Sequence, residues 1–184
     1  MRRGTLALAV AFMVASGASP AEAAGGFMPA LNLANLMLDL DSQAGNFSVL
    51  RVSNTADMNA LRVTMQMHRL GEDPRWAPGG NVAFKNGQDS VTFQILAPQR
   101  VAPLSVRLYR YRDGKQDQEQ MFALTVGMDQ KLDVAIGWDA SGAITVTAGG
   151  ETHSMNLGEK IEQIELSAST GEVEFNPLSI GRVP

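Results

Sequence analysis

Glu172 and Glu174 have the most favourable spacing for chemistry of any acidic pair in the sequence. Hydrolysis of a glycosidic bond needs two carboxylates about 5 to 9.5 Å apart, and one is usually shielded so that its pKa rises. Alternate residues of a β-strand project from one face at about this separation. The apolar Val173 and Phe175 beside them need burial, so we expect both glutamates to face water. A glycoside hydrolase or lyase would instead require one of them in a cleft.

The sequence contains no other recognisable catalytic or metal-binding pattern. His68 and His153 lie far apart, and neither has the spacing of a zinc ligand. The chain has no cysteine, which excludes disulfides, thiolate metal sites and cysteine nucleophiles. Gly79-Gly80 and Gly149-Gly150 precede strand patterns rather than helices, unlike phosphate-binding loops. We therefore expect no cofactor and no metal, and the sequence favours a non-catalytic protein over an enzyme.

Trp76 is the first candidate for ligand binding. It lies in the connector from Gly71 to Asn81, whose two prolines and three glycines oppose regular structure. A tryptophan exposed on a loop can stack on a sugar or bind a partner, because its ring face is apolar and its N–H is a donor. A ring folded back over one end of a β-sandwich is the commoner arrangement, because tryptophan is usually highly buried.

A second candidate surface lies on the strand predicted over Leu104 to Arg112. One face of this strand is apolar, and the other carries Arg107, Tyr109 and Tyr111. Such a basic and aromatic strip could bind an acidic polymer or single-stranded nucleic acid by stacking. The segment DGKQDQEQ that follows supplies three acids, and the whole chain has a net charge of −4. We therefore prefer a solvated face whose arginine stems cover the tyrosine rings, and we expect no nucleic acid partner.

The N-terminus has the features of a secretory signal peptide. Arg2 and Arg3 precede an apolar run, Leu6 to Val14, and Ala21-Glu22-Ala23 matches a cleavage site. The run is too short for a membrane span, which needs about 20 apolar residues. The sequence predicts removal of residues 1–23, no transmembrane segment afterwards, and a periplasmic or secreted protein. Losing two of 15 basic and one of 19 acidic side chains leaves a net charge of −5.

Short apolar–polar alternations separated by turn signals fill the rest of the chain. They predict strands over Phe47–Ser53, Ala60–Leu70, Val82–Phe84, Ser90–Leu96, Leu104–Arg112, Met121–Val126, Leu132–Trp138, Ile144–Ala148, His153–Leu157, Ile164–Ala168 and Val173–Ile180. Leu36, Leu38 and Leu40 favour a strand that enters a turn at Asp41–Asn46, although a helix over Ala30–Leu40 also fits. Ser169-Thr170-Gly171 predicts another turn. The sequence thus predicts a single all-β domain over residues 24–184, an antiparallel two-sheet β-sandwich with little helix.

Residues 104–181 resemble the concanavalin A-like (laminin-G, lectin and glucanase) family of jelly-roll sandwiches. The resemblance rests on LSVRLYRYRDG, LDVAIGWDASGAITVTAGG and IEQIELSASTGEVEFNPLSIG. The shared features are a strand ending in tryptophan, a D-x-x-G turn, a strand ending in glycine and a late S-T-G turn. The resemblance implies this fold and an ability to bind glycans. The family's glucanase strand and lectin calcium loop have no counterpart here, so it implies neither catalytic residues nor a metal.

Residues 47–74, FSVLRVSNTADMNALRVTMQMHRLGEDP, resemble the immunoglobulin-like domain of periplasmic pilus chaperones. In both, an extended strand precedes an N-x-x-D loop and an alternating strand. Two hypotheses follow. The first is an exported, non-catalytic β-sandwich protein that binds a carbohydrate or cell-envelope polymer. The second is a chaperone-like or structural envelope protein that binds a protein partner by strand addition.

Overall fold

The computed structural model describes residues 28–32, 38–73 and 75–182. The signal peptide predicted over residues 1–23 lies outside the described residues. The strands are β1 Met28–Asn32, β2 Leu38–Ser53, β3 Ala60–Leu70, β4 Gly79–Asn86, β5 Asp89–Leu96, β6 Leu104–Arg112, β7 Lys115–Val126, β8 Leu132–Trp138, β9 Ala143–Ala148, β10 Glu151–Asn156 and β11 Gln163–Arg182. All pairings among them are antiparallel, which confirms the predicted all-β class. Among these residues, no helix has the length and apolarity needed to cross a membrane.

Strand β11 belongs to both sheets of the sandwich. Residues 163–169 pair with β4 on one side and with residues 47–53 of β2 on the other. Residues 171–181 pair instead with β3, while the start of β2 and β1 also pair with this part of β11. The front sheet, as we name it, therefore has the order β2-β11-β4-β5-β6-β7, and the back sheet has the order β11-β3-β8-β9-β10.

The crossing between sheets occurs at Thr170, which corrects the turn predicted over residues 169–171. Thr170 has φ +48°, and the register of β11 against β2 shifts at this point. The chain bends there without reversing direction. The Thr170 carbonyl accepts from the N–H of Gly71 at 2.8 Å, and the Thr170 hydroxyl accepts from the N–H of Gly45 at 3.3 Å. The turn predicted at Asp41–Asn46 is likewise a bend, within β2.

The connector that contains Trp76 is shorter than predicted, because β4 begins at Gly79 rather than Val82. Gly80 lies on the inner face of the front sheet. A Cβ at this position would lie 2.9 Å from Val173 Cγ1 and 3.1 Å from Met65 Cε, both in the back sheet. Glycine here permits close packing of the two sheets, so it belongs to a strand and not to a loop.

One apolar core fills the space between the sheets. Its largest fully buried side chains include Phe84, Phe93, Phe175, Leu61, Met65 and Met67. Trp138 also lies in the core, where its ring packs at 5.1 Å from that of Phe84. The alternation of apolar and polar residues in the sequence therefore identified the buried face of the strands that carry these side chains.

The edge strands β7 and β10 cover one another. Gln120 of β7 donates to the carbonyl of Ser154 at 3.2 Å, and the Ala123 N–H donates to Glu151 at 3.0 Å. Arg110 donates to the carbonyl of Asn156 at 2.7 Å. Main-chain groups at these two edges are thus occupied by side chains, as expected where edge-to-edge association is avoided.

Candidate functional site

The outer face of the front sheet carries aligned polar side chains. Alternate residues of β11, β4, β5 and β6 enter the core, so the residues between them point outward. The register places Ser167 opposite Asn81, Asn81 opposite Gln94, and Gln94 opposite Arg107. Four adjacent strands thus each contribute one polar group to a line that runs across the sheet.

Hydrogen bonds connect this line into what we call the polar row: Ser167, Asn81, Gln94, Arg107 and Glu119. The Asn81 amide donates to the Ser167 hydroxyl at 3.0 Å, and the Gln94 amide donates to Asn81 Oδ1 at 2.7 Å. Arg107 Nε donates to Gln94 Oε1 at 2.7 Å, and its Nη1 donates to Glu119 at 2.6 Å. The continuous chain of bonds fixes the orientation of every member.

Members of the polar row retain hydrogen-bonding capacity. Asn81 and Gln94 are each 8% exposed. Each amide uses one of its two N–H groups and one acceptor position in the row, which leaves one donor and one lone pair. Arg107 uses two of its five N–H groups. The polar row is therefore a rigid line of hydrogen-bonding groups. Some of its N–H donors and acceptor lone pairs are not used within the row.

Two tyrosine rings lie beside Arg107, on the strand face that the sequence predicted for all three residues. The Arg107 guanidinium carbon lies 4.7 Å from the Tyr109 ring centre, and the Tyr109 and Tyr111 rings pack edge-on at 6.0 Å. Burial raises the pKa of Tyr109, so its phenol stays protonated at neutral pH. Tyr111 is exposed, and Met121, opposite Arg107 on β7, is 52% exposed. The Arg107 guanidinium therefore lies over Tyr109, and Glu119 and Asp117 of β7 pair with Arg107 and Arg110.

Trp76 lies at the other end of the same face. Its ring is 46% exposed and packs edge-on against Phe47 at 5.2 Å. Phe47 lies opposite Ser169, an outward residue of β11. The alternative of a ring buried over one end of the sandwich is therefore wrong.

Asp73 fixes the conformation of the Trp76 loop. Its carboxylate accepts from the N–H groups of Arg75 at 2.8 Å and Trp76 at 3.2 Å. The Arg75 N–H is the main reason that the pKa of Asp73 is lowered. One residue further on, the Ala77 carbonyl accepts from the Ser169 hydroxyl at 2.8 Å, which attaches the loop to the front sheet.

Glu172 and Glu174 lie on the outer face of the back sheet, away from the polar row. Val173 between them and Phe175 after them are fully buried, as strand alternation predicted. Glu174 accepts from Asn176 at 2.9 Å and contacts His68 Nε2 at 2.9 Å. The bond from Asn176 and then that from His68 lower the pKa of Glu174, opposite to the shift that a general acid needs.

Sequence reasoning missed the contacts that His68 makes. Its Nδ1 lies 2.7 Å from Asp129, in the turn after β7, and its Nε2 contacts Glu174 of β11. These two bonds raise the pKa of His68, the bond to Glu174 most strongly. The partners are distant in sequence, and only strand register brings them together. Within the described ranges, no group of three or more histidine, cysteine, aspartate or glutamate side chains is arranged to hold a metal ion.

A cleft of about 920 Å³ lies on the back-sheet side. It is lined by Arg62, Thr64 and Asp133 of the outer face, and by Leu124 and Lys131 nearby. Thr64 donates to Asp133 at 2.6 Å, so two of its polar groups bind each other. None of its described lining residues is aromatic, whereas the polar row has aromatic rings at both ends.

No protein-family model and no curated protein matches the sequence. Among solved structures, the carbohydrate binding module CBM66 from Bacillus subtilis covers 85% of this chain and 100% of its own, with 7% identity and a TM-score of 0.57. Galectin LEC-6 from Caenorhabditis elegans covers 76% and 94%, with 11% identity and a TM-score of 0.53. An alginate lyase from Pseudomonas aeruginosa covers 68% and 65%, with 15% identity and a TM-score of 0.52.

At these identities the likeness concerns the fold and not the activity. A galectin, a carbohydrate binding module and a lyase each align with more than two thirds of this chain. The chain is therefore a concanavalin A-like jelly-roll β-sandwich, the fold that the resemblance of residues 104–181 implied.

Proposed function

We propose that the protein binds a carbohydrate on the outer face of the front sheet and that it works, without catalysis, in the periplasm or outside the cell. The observation that carries this proposal is the polar row, flanked by Trp76 with Phe47 at one end and by Tyr109 with Tyr111 at the other. Sugars present hydroxyl groups in the ring plane and apolar C–H faces above and below it. Fixed amides and a guanidinium suit the hydroxyls, and aromatic rings suit the faces.

Pre-organisation supports the same proposal. Asn81, Gln94 and Arg107 are held by their neighbours before any ligand arrives, so binding would cost little side-chain entropy. The fold is compatible with this function, since it occurs in a carbohydrate binding module and a galectin. It also occurs in a lyase, so the fold alone does not distinguish binding from catalysis. The lowered pKa of Glu174 argues against a general-acid role for this carboxylate.

Strand addition to a protein partner has less support. The main-chain groups of β7 and β10 named above already bind side chains of facing strands. A strand arriving at either of these two edges would have to break these bonds before it could pair.

Affinity electrophoresis tests carbohydrate binding. The mature protein is run through gels that contain β-1,3-1,4-glucan, xylan, galactan, mannan, levan or alginate. We expect at least one polysaccharide to retard the protein, and Gln94→Ala to weaken that retardation by about tenfold or more in affinity. Thr147→Ala is the matched control, because it removes a polar group from the outer face of the back sheet. The site is wrong if Gln94→Ala, still folded by circular dichroism, binds as the wild type does.

Export is tested separately. We expect the protein recovered from the periplasm or medium to begin at Ala24, which N-terminal sequencing would reveal. A protein that keeps residues 1–23 and stays in the cytoplasm would contradict this part of the proposal.

A further inference from the structure

We propose that the ligand is an internal stretch of an uncharged polysaccharide, extended across the strands of the front sheet from β2 to β7. This inference rests on the proposed function and adds the class and orientation of the ligand. It follows from three features of the outer face: its length, its open edges and the carboxylate contacts of its cations.

The length comes from strand spacing. Phe47 on β2 and Met121 on β7 lie on the same outer face and are separated by four intervening strands. Neighbouring strands lie about 4.8 Å apart, so the face is about 24 Å long between these edges. A single sugar or a disaccharide would contact only part of this distance. The polar row itself is bonded without interruption from Ser167 on β11 to Glu119 on β7.

Both edges of the outer face carry side chains that are open to solvent. Phe47 is 48% exposed and Met121 is 52% exposed. A polysaccharide lying on the row can therefore continue past either edge, so recognition does not require a chain end. The paired rings of Phe47 and Trp76 offer one stacking surface, and Tyr111 offers another near the far edge. Stacking surfaces at two separated positions favour a ligand that reaches both.

The charges of this face favour an uncharged ligand. Glu165 pairs with Arg51 at 2.9 Å and with Lys85 at 3.6 Å, and Glu119 pairs with Arg107 at 2.6 Å. Each of these three cations thus already contacts a carboxylate, with Arg51 and Lys85 sharing Glu165. An anionic polysaccharide would have to displace a carboxylate to gain its charge interaction, and the net charge of −4 would repel it further.

Calorimetry with a series of oligosaccharides tests the inference. The probes are the disaccharide to octasaccharide of whichever neutral polysaccharide in the panel retards the protein. We expect affinity to rise by about tenfold or more from the disaccharide to the hexasaccharide and then to level off. Trp76→Ala should lower hexasaccharide affinity by about fivefold or more and leave disaccharide affinity within about twofold. Raising the salt concentration should change affinity by less than about twofold.

Val101→Ala is the matched control, because Val101 is an exposed apolar side chain on the loop between β5 and β6. It should bind every oligosaccharide as the wild type does. Equal affinities for disaccharide and hexasaccharide would overturn the extended ligand while leaving carbohydrate binding in place. Retardation by alginate alone would overturn the uncharged ligand. Failure of every polysaccharide to retard the protein would overturn this inference and the proposed function together.

Discussion

Arg107 is the residue through which the two components of the candidate site meet. Its guanidinium bonds to Gln94 and Glu119 within the polar row, and its plane contacts Tyr109. These contacts use the fixed fork and flat face of a guanidinium, which a lysine ammonium lacks. The side chain is therefore a structural part of the binding surface as well as a positive charge.

Arg107→Lys should weaken carbohydrate binding by about tenfold, because the charge remains while the fork and the stacking surface are lost. The measurement is the affinity for the hexasaccharide by calorimetry. The control is Arg51→Lys, at a more exposed arginine on the same face. Wild-type affinity in Arg107→Lys would mean that only the charge matters at this position.

His68 makes stability depend on pH. Its contacts with Glu174 and Asp129 raise its pKa in the folded state above the ordinary value of about 6.5. A raised pKa stabilises the folded protein fully below that ordinary value, and this contribution is lost as pH rises through the folded pKa. Lys131, which also interacts with Glu174, is the nearby positive charge.

His68→Gln should therefore lower the melting temperature most at about pH 5.5 and least at about pH 9. Scanning calorimetry of both proteins across this range measures the difference. A difference between wild type and His68→Gln that grows with pH would contradict the assignment.

At the scale of elements, β11 and β2 are the strands that pass from one sheet to the other. Both bends include residues that the sequence marks as turn formers, Ser169-Thr170-Gly171 and Asp41–Asn46. Positive φ and small side chains serve a bend between sheets as well as a chain reversal. The local sequence therefore shows where each strand is interrupted. It does not show whether the interruption is a bend between sheets or a reversal of the chain.

Gly171→Ala should destabilise the fold by about 1–3 kcal/mol, the usual cost of overpacking. A Cβ at this position would lie 2.5 Å from the Arg69 carbonyl oxygen, a backbone atom that cannot move aside easily. Urea denaturation gives the free energy of unfolding. Gly137→Ala is the control, since a Cβ there would have 3.9 Å to its nearest neighbour, the Asn59 carbonyl oxygen. Equal losses in the two variants would point to glycine content rather than to the bend.

Strand positions were more predictable than the site. Ala60–Leu70, Leu104–Arg112 and Leu132–Trp138 match β3, β6 and β8 at both ends, because their alternation is strict. Asn81 and Gln94 were missed, since an outward polar residue on one strand looks like any solvated side chain. They become a site only through register between strands that are distant in the sequence, as in the case of His68.

At the scale of the whole molecule, β11 is the element that unites the described strands. It pairs with β1, β2, β3 and β4, and residues on both sides of its bend line the core. The chain contains no cysteine, so a disulfide cannot substitute for these contacts.

A chain that ends at Glu162, and so lacks β11, should not fold. Its core would lose Ile164, Leu166, Val173 and Phe175, among others, and the two sheets would lose their common strand. Far-ultraviolet circular dichroism and limited proteolysis measure the outcome. A chain that ends at Arg182 is the control and should fold normally. A stable β-rich protein without residues 163–184 would contradict the central role of β11.

The late position of β11 also bears on when the protein can fold during its production. A ribosome makes the chain from its N-terminus, so β2, β3 and β4 emerge long before the strand to which all three are hydrogen-bonded. Hairpins such as β4–β5 can form early, but the sandwich closes only after β11 has been made. If the protein is exported as we propose, this order extends the time during which its chain remains unfolded and able to pass through a membrane channel.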